Sequence, residues 1–229
     1  MKPPLLCYYY YAITNVFKYP VDIYFKYAIL IHTTNYKEVY LINSKPNIQI
    51  ITDNLGRKIV VIPQILFYGK RSIPWKDVES YLLRYVGEII QITESNDIVY
   101  IGKDFPDEFS GSEYTRKLRG SLAKAKANMV QGLPQMIEIA TKKRWREDFE
   151  HKHNKRAENG WYRYNTLFAL PIMDDFKHII GYNVYQAVLI IRHASDQKLY
   201  LYDIQNIKKE TSNPFWTKPS NGQKPISFL

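Results

Sequence analysis

Three β-type runs near the end of the chain, separated only by short polar turns, constrain the fold more than any other feature. They read GWYRYNTLFALPI (160–172), GYNVYQAVLIIRH (181–193) and KLYLYDIQNI (198–207). β-Branched and aromatic residues favour strands, and turns this short join neighbouring strands only in antiparallel order. The sequence therefore predicts a three-stranded antiparallel meander.

The segments before the meander alternate between strand and helix patterns. Residues 47–67 and 88–102 each contain two β-rich runs around a polar turn, which is typical of hairpins. Helices are predicted over residues 72–87, 111–132 and 134–141, and the charged segment 142–160 is predicted to be an irregular loop. The fold class is therefore α+β, with helices packed on an antiparallel sheet. The aromatic first 35 residues add N-terminal strands.

The net charge of +10 is concentrated in the second half of the chain. Residues 1–110 carry 12 Lys and Arg against 11 Asp and Glu, whereas residues 111–229 carry 20 against 11. A basic half joined to a neutral half indicates a polyanionic partner, most often nucleic acid. The alternative is a basic surface that only keeps the protein in solution.

Several classes of protein are not expected from this sequence. The single cysteine, Cys7, excludes a disulfide framework and a cysteine-based zinc site, and it suits a reducing cytoplasm. No apolar run approaches the roughly 18 residues of a spanning helix. The N-terminus is interpreted as a strand, since its apolar part is short and rich in tyrosine. Because no Gly-rich phosphate loop precedes a helix, no nucleotide cofactor is expected.

The turn between the last two runs places polar residues at the tip of an apolar hairpin. If the loop has four residues, 194–197, His193 lies opposite Lys198, and the tyrosines at 200 and 202 share their face. Arg192 then sits at the rim of the other, aliphatic face. A shift of one residue in this register would bring Arg192 beside Tyr200 and Tyr202 instead.

This hairpin suggests a chemistry. A histidine that titrates near neutral pH can move protons, a lysine or arginine can neutralise a phosphate, and tyrosine rings can stack on bases. The combination suits metal-independent RNA cleavage by His193, Lys198 and Arg192, with Tyr200 and Tyr202 binding bases. The alternative is that a strand end at the surface simply exposes polar residues.

The charged segment 142–160 and its flanks supply further candidates. His151 and His153 lie two residues apart and lack a third ligand of the kind zinc requires, so no metal site is predicted. His153 is instead a candidate second acid or base. The candidate phosphate contacts are Arg144, Lys155 and Arg163. The alternative is a solvated surface loop.

The predicted helix over residues 111–132 carries five cations around its polar sides: Arg116, Lys117, Arg119, Lys124 and Lys126. Lys117, Ser121 and Lys124 follow one another at helical spacing and form a stripe. Such a stripe could follow a phosphate backbone, although exposed lysines are common on helices. Lys117 and Lys124 are therefore candidate nucleic-acid contacts.

Five phrases between residues 58 and 214 are informative when taken in order, and the resemblance that they carry covers roughly residues 53–212. They are KIVVIPQILFYGKRSIPWKDVESYLLRYVGEI, DIVYIGKDFPDEFSGSEYT, AKANMVQGLPQMIEIAT, NGWYRYNTLFALP and LIIRHASDQKLYLYDIQNIKKETSNP. Together they resemble the phage and mobile-element branch of the barnase-, EndoU-, colicin- and RelE-like nuclease superfamily. The resemblance implies N-terminal helices followed by an antiparallel sheet. It also implies metal-independent RNase activity in the active members, carried here by His193, Lys198, Arg192 and the loop containing His153.

The chain is predicted to divide into three parts. Residues 1–105 form a β-rich region with one helix, 106–212 form the nuclease-like domain, and 213–229 form an extended tail. The predicted function is a phage or mobile-element protein that binds RNA or a ribonucleoprotein in the bacterial cytoplasm and has a nuclease-like domain, with metal-independent RNA cleavage as the activity that this domain could have. The alternative is a non-catalytic, phage-encoded inhibitor of a host defence protein such as an RNA-guided nuclease. The sequence leaves the oligomeric state open.

Overall fold

The computed structural model describes residues 47–69, 72–146 and 159–210 of this chain. The chain divides into two compact units, Met1–Lys45 and Pro46–Leu229, and all described residues belong to the second. Some predicted features lie outside the described residues: the N-terminal aromatic strands, His151, His153, Lys155 and the tail 213–229.

The second unit has an α+β fold, as predicted. Its strands are β1 (Gln49–Thr52), β2 (Lys58–Val61), β3 (Ile89–Gln91), β4 (Ile98–Tyr100), β5 (Thr141–Arg146), β6 (Trp161–Met173), β7 (Ile179–His193) and β8 (Leu199–Lys209). Its helices are α1 (Trp75–Leu82), α2 (Phe105–Gly111), α3 (Glu113–Lys117), α4 (Gly120–Met129) and α5 (Leu133–Glu138). Short 3₁₀ turns follow α1 and α4. The C-terminal meander and both hairpins before it are confirmed.

The strands form one sheet in the order β1-β2-β6-β7-β8-β4-β3, and β5 pairs with β6 beside this path. β6, β7 and β8 are antiparallel neighbours, but β2 runs parallel to β6 and β4 runs parallel to β8. The sheet is therefore mixed, whereas the sequence predicted a purely antiparallel one. Parallel neighbours require a long connection, and the chain between β2 and β6, like that between β4 and β8, passes through several helices and strands. Strands from both sides of residue 105, where a domain boundary was predicted, share this sheet.

The long strands of the meander have two unlike faces. Tyr164 and Thr166 of β6 are buried, and the Thr166 hydroxyl donates to the carbonyl of Met136 in α5 at 2.9 Å. The alternate residues Arg163 and Asn165 are only half-buried and point to the opposite side. We call the side covered by helices the inner face and the opposite side the outer face.

The long helix predicted over residues 111–132 is interrupted, so this prediction is wrong. The chain forms α3 and α4 with extended backbone at Leu118 between them, and Gly120 opens α4 with a φ of +56°. Glycine adopts that backbone conformation at a lower cost than residues with a Cβ atom. Lys117 and Lys124 consequently lie on separate helices, and the predicted stripe that joins them does not form.

Part of the segment predicted to be a loop is the strand β5. It pairs antiparallel with β6 and places Arg144 opposite Arg163 and Arg146 opposite Trp161. The loop prediction is wrong for these residues because charged side chains are also common on strands at the edge of a sheet. The remainder of that segment, up to residue 158, lies outside the described residues.

A buried ion pair connects the helices to the sheet. Lys126 of α4, predicted to lie on a polar surface, is fully buried, and its Nζ lies 2.6 Å from Oδ1 of Asp203 in β8. Asp203 is also fully buried, and its Oδ1 accepts the backbone N–H of Ile204 at 2.7 Å. Nζ of Lys126 lies 4.3 Å from the centre of the Phe109 ring. Burial lowers the pKa of Lys126, and the charge of Asp203 opposes that change.

A buried amide extends this connection to the segment after β2. Oδ1 of Asn128 accepts the backbone N–H groups of Leu66 and Phe67 at 2.7 and 2.9 Å. Its Nδ2 donates to the carbonyl of Phe67 at 3.0 Å. Asn128 is fully buried, so these bonds satisfy an irregular backbone that water does not reach. Helix α4 thus fixes both β8 and the chain that leaves β2.

Removal of one partner of the Lys126–Asp203 pair should destabilise the fold strongly. We expect Lys126→Met or Asp203→Leu alone to lower the free energy of unfolding by about 3–5 kcal/mol, since each leaves an unpaired buried charge. The double variant should recover most of that loss because it buries neither charge. Chemical denaturation of the four proteins at pH 7 measures the coupling, and losses that simply add would contradict the ion pair.

Candidate functional site

The outer face of the sheet carries an open depression of about 530 Å³. Its cationic lining comes from three strands: Arg144 and Arg146 of β5, Arg163 of β6 and Lys208 of β8. Its other polar side chains are uncharged amides: Asn165, Gln186 and Asn206. Within the described part of the chain, no carboxylate lines this depression. We call it the arginine depression.

Strand register brings these side chains together. Arg144 lies directly opposite Arg163, and Gln186 lies opposite Lys208. Residues that face each other across neighbouring strands have Cβ atoms about 5 Å apart, so the guanidinium groups are held close by the backbone. Nη2 of Arg144 donates to Oδ1 of Asn165 at 2.6 Å, which orients it toward the depression.

Arg163 is held in an unfavourable environment. Its Nε is buried and finds no hydrogen-bond acceptor among the described residues. Burial lowers the pKa of Arg163, and the positive charges of Arg146 and Arg144 lower it further. A guanidinium keeps its charge at neutral pH regardless. A charged donor without an acceptor, beside two like charges, is suited to binding an anion.

The β7–β8 hairpin adopts the shifted register. Its loop has three residues, Ser195 to Gln197, and Gln197 takes a left-handed φ of +64°. Arg192 is consequently opposite Tyr200, and His193 is opposite Leu199. The prediction that His193 faces Lys198 is wrong, because the predicted loop was one residue too long. This change moves Arg192 to the face of the tyrosines and His193 to the other face.

Arg192 and the two predicted tyrosines lie on the outer face. The guanidinium of Arg192 lies 5.4 Å from the centre of the Tyr200 ring. The Tyr202 ring meets the Trp161 ring edge to face, with centres 5.0 Å apart. Burial raises the pKa of Tyr202, and its hydrogen bond with Glu108 raises it further, so this phenol stays neutral.

His193 lies on the inner face, apart from the predicted cations. Its ring centre is 5.8 Å from that of Tyr162, and the ammonium of Lys143 lies 4.3 Å from the same Tyr162 ring. Lys143 also forms an ion pair of 2.7 Å with Asp97. The predicted catalytic group of His193, Lys198 and Arg192 is therefore not assembled around one point.

Lys198 is near the aromatic residues of the outer face. Its ammonium lies 5.2 Å from the centre of the Tyr100 ring and 3.9 Å from Oδ2 of Asp196. Asp196 also accepts the hydroxyl of Tyr200 at 2.8 Å. The hydrogen bond from Tyr200 is the main reason that the pKa of Asp196 lies below its ordinary value.

The structure thus brings together some of the predicted residues and not others. Arg144 and Arg163 meet in the arginine depression, while Lys117 and Lys124 belong to helices and do not line it. Sequence reasoning missed several lining residues: Arg146, Asn165, Gln186, Asn206 and Lys208. Alternation along β5 and β6 could have indicated Arg146 and Asn165, had residues 141–146 been recognised as a strand.

No group of three or more histidine, cysteine or carboxylate residues in the described ranges could hold a metal ion. Among the helices described, none is long and apolar enough to span a membrane. No family model, curated protein or solved structure matches this chain. The arrangement of the outer face is therefore the basis for the functional proposal.

Arg163 should lower the stability of the fold in the absence of an anion. We expect Arg163→Met to raise the free energy of unfolding by about 1 kcal/mol, since it removes an unsatisfied buried donor and repulsion between like charges. The matched control is Arg57→Met, because Arg57 forms ion pairs of 2.8 Å with Asp53 and 3.2 Å with Glu210. This control should lose stability. Equal losses in both variants, measured by urea denaturation, would contradict the account of Arg163.

Proposed function

We propose that this protein binds RNA through the outer face of its sheet. The observation that carries the proposal is the arginine depression, in which three arginines converge without a carboxylate among the described lining residues. Planar guanidinium groups bind phosphate oxygens through paired hydrogen bonds. The net charge of +10 adds a long-range attraction for a polyanion.

The uncharged lining of the depression suits nucleotides as well as bare phosphate. Asn165 and Gln186 offer both donors and acceptors, which can bind a ribose hydroxyl or a base edge. A site built only for inorganic anions would have no use for these acceptors. We therefore place phosphates on the arginines and sugars or bases on the amides.

We also propose membership of the phage and mobile-element branch of the nuclease superfamily named above. Helices on one face of an antiparallel meander support this proposal, since the resemblance implies that arrangement. The specific nuclease-like fold, the phage origin and the location in the bacterial cytoplasm belong to the same proposal. Binding rather than cleavage is the function we assign, because His193 lies on the face opposite Arg192 and Tyr200.

One observation favours a second candidate function, inhibition of a host defence ribonucleoprotein. The turn between β6 and β7 and the start of β7 expose large apolar side chains: Phe176, Ile179 and Ile180, of which Phe176 is 81% exposed. Exposed apolar groups of this kind are typical of contacts with proteins. A protein that exposes this turn at one end of its long strands and a cationic depression elsewhere on the sheet could bind both components of a ribonucleoprotein.

Neutralising the arginine depression should weaken RNA binding. We expect the triple variant Arg144→Gln, Arg146→Gln, Arg163→Gln to lose about 10- to 100-fold in affinity, or about 1.4–2.8 kcal/mol. The slope of log K against log salt should fall by about 2, since each lost phosphate contact with a single strand contributes about 0.7. Fluorescence anisotropy with a labelled RNA 12-mer, between 50 and 300 mM salt, measures both quantities.

The control for this experiment is a variant that loses the same charge at positions outside the arginine depression. Lys76→Gln, Arg116→Gln, Lys177→Gln removes three exposed cations from α1, α3 and the turn between β6 and β7. It should retain nearly wild-type affinity. Equal weakening in both triple variants would mean that net charge alone drives binding. Failure of the wild type to bind RNA would overturn the proposal and favour the protein-binding candidate.

The absence of cleavage by His193 can be tested directly. We expect end-labelled transfer RNA and total RNA to remain intact after incubation with the protein in EDTA, because no cation of the hairpin faces the His193 imidazole. The His193→Ala variant should behave identically. Discrete fragments that end in a 2′,3′-cyclic phosphate, and that disappear in His193→Ala, would contradict this assignment and restore the catalytic interpretation.

A further inference from the structure

A row of residues crosses the outer face from the arginine depression to the far side of β8. Strand pairing places five residues directly opposite one another in turn: Arg146 of β5, Trp161 of β6, Arg192 of β7, Tyr200 of β8 and Tyr100 of β4. Cationic and aromatic side chains therefore alternate over the first four strands. Four strand spacings of about 4.8 Å make the row about 19 Å long. We call it the aromatic row.

Measured contacts show that the side chains of the row share one face. The rings of Tyr100 and Tyr200 have centres 5.7 Å apart at a tilt of 43°, and Arg192 lies 5.4 Å from the Tyr200 ring. Tyr202 flanks the row where its ring meets Trp161. The aromatic side chains are half-buried, so each keeps part of its ring surface accessible.

A second observation points to a ligand on this row. Nε of Arg192 is buried and has no hydrogen-bond acceptor among the described residues, as is also true of Arg163 in the arginine depression. Two arginines on the same face thus retain an unsatisfied buried donor. Lys103, Arg192 and Tyr200 line a second open depression of about 510 Å³ at this end of the sheet, together with the carboxylates of Asp104 and Asp196. Both ends of the face therefore offer space beside a donor that lacks an acceptor.

We propose that the aromatic row binds the bases of single-stranded RNA while the arginine depression holds its phosphates. This inference rests on the proposed function and specifies its substrate as an unpaired strand. Bases in a duplex are stacked on each other and are not accessible to protein rings, whereas bases of a single strand stack on aromatic and guanidinium planes. Arg192 lies between two aromatic residues, so it presents such a plane together with its donors.

The experiment compares three probes on the wild-type protein at 100 mM salt. They are a single-stranded RNA 12-mer of mixed sequence, a 12-base-pair RNA duplex, and inorganic polyphosphate of matched charge as a competitor. We expect the single strand to bind at least tenfold more tightly than the duplex. Polyphosphate should compete poorly, because it supplies charge without bases.

Two variants test the rings themselves. Tyr200→Leu and Tyr100→Leu, on different strands, should each weaken single-strand binding about 5- to 150-fold, which is the range for loss of one stacked base. Binding of polyphosphate should stay unchanged in both. Tyr200→Phe keeps the ring and should retain affinity. Phe176→Leu, at an 81% exposed ring outside the row, is the matched control. Thermal melts verify that each variant is folded.

The outcomes separate this inference from the proposed function. Selective binding of the single strand that is weakened by both leucine variants supports the aromatic row. Equal binding of single strand and duplex by the wild type, or leucine variants that bind like Phe176→Leu, overturns it and leaves the arginine depression as a site for phosphates alone. If none of the three probes binds, the proposed function fails as well.

Discussion

Helix α4 is joined to the sheet by an ion pair between a lysine and an aspartate that solvent does not reach. Lys126 in α4 and Asp203 in β8 are both fully buried, and either charge alone would be very costly in that position. The pair therefore fixes the position of α4 on β8. Asn128, two residues further along α4, fixes the segment after β2. Helices cover the inner face of the sheet. Part of the outer face carries the arginines and aromatic side chains, and another part carries the buried apolar cluster of Ile59, Val61, Ala169 and Tyr182.

The contrast between the two faces allows the same strands to contribute to the core and to the proposed binding site. Buried residues such as Tyr164 and Phe168 alternate with half-buried residues such as Arg163, so one stretch of β6 contributes to the core and to the arginine depression. Unsatisfied donors at Arg163 and Arg192 lower stability in the free protein. An anionic strand bound on the outer face would supply hydrogen-bond acceptors to these two donors.

The periodicity of the sequence predicts most of the helices and strands, but it does not predict the register of the β7–β8 hairpin. The three long strands, both early hairpins and α1 follow from alternation and turn residues. The β7–β8 loop does not, because its length depends on a left-handed φ at Gln197, which the identity of that residue does not indicate. The error of one residue exchanged the faces of His193 and Arg192 and thereby changed the predicted chemistry. Lys126 was equally unpredictable, since its partner Asp203 is 77 positions away.

The central claim is that RNA lies on the outer face, across both the arginine depression and the aromatic row. Nuclear magnetic resonance of arginine Nε–Hε groups tests it most directly, since Arg163 and Arg192 each have a buried Nε without an acceptor in the described chain. On addition of single-stranded RNA, we predict that these two signals shift and become protected from solvent exchange. The signals of Arg57 and Arg116 should stay in place. Unchanged Arg163 and Arg192 signals at saturating RNA would contradict the account.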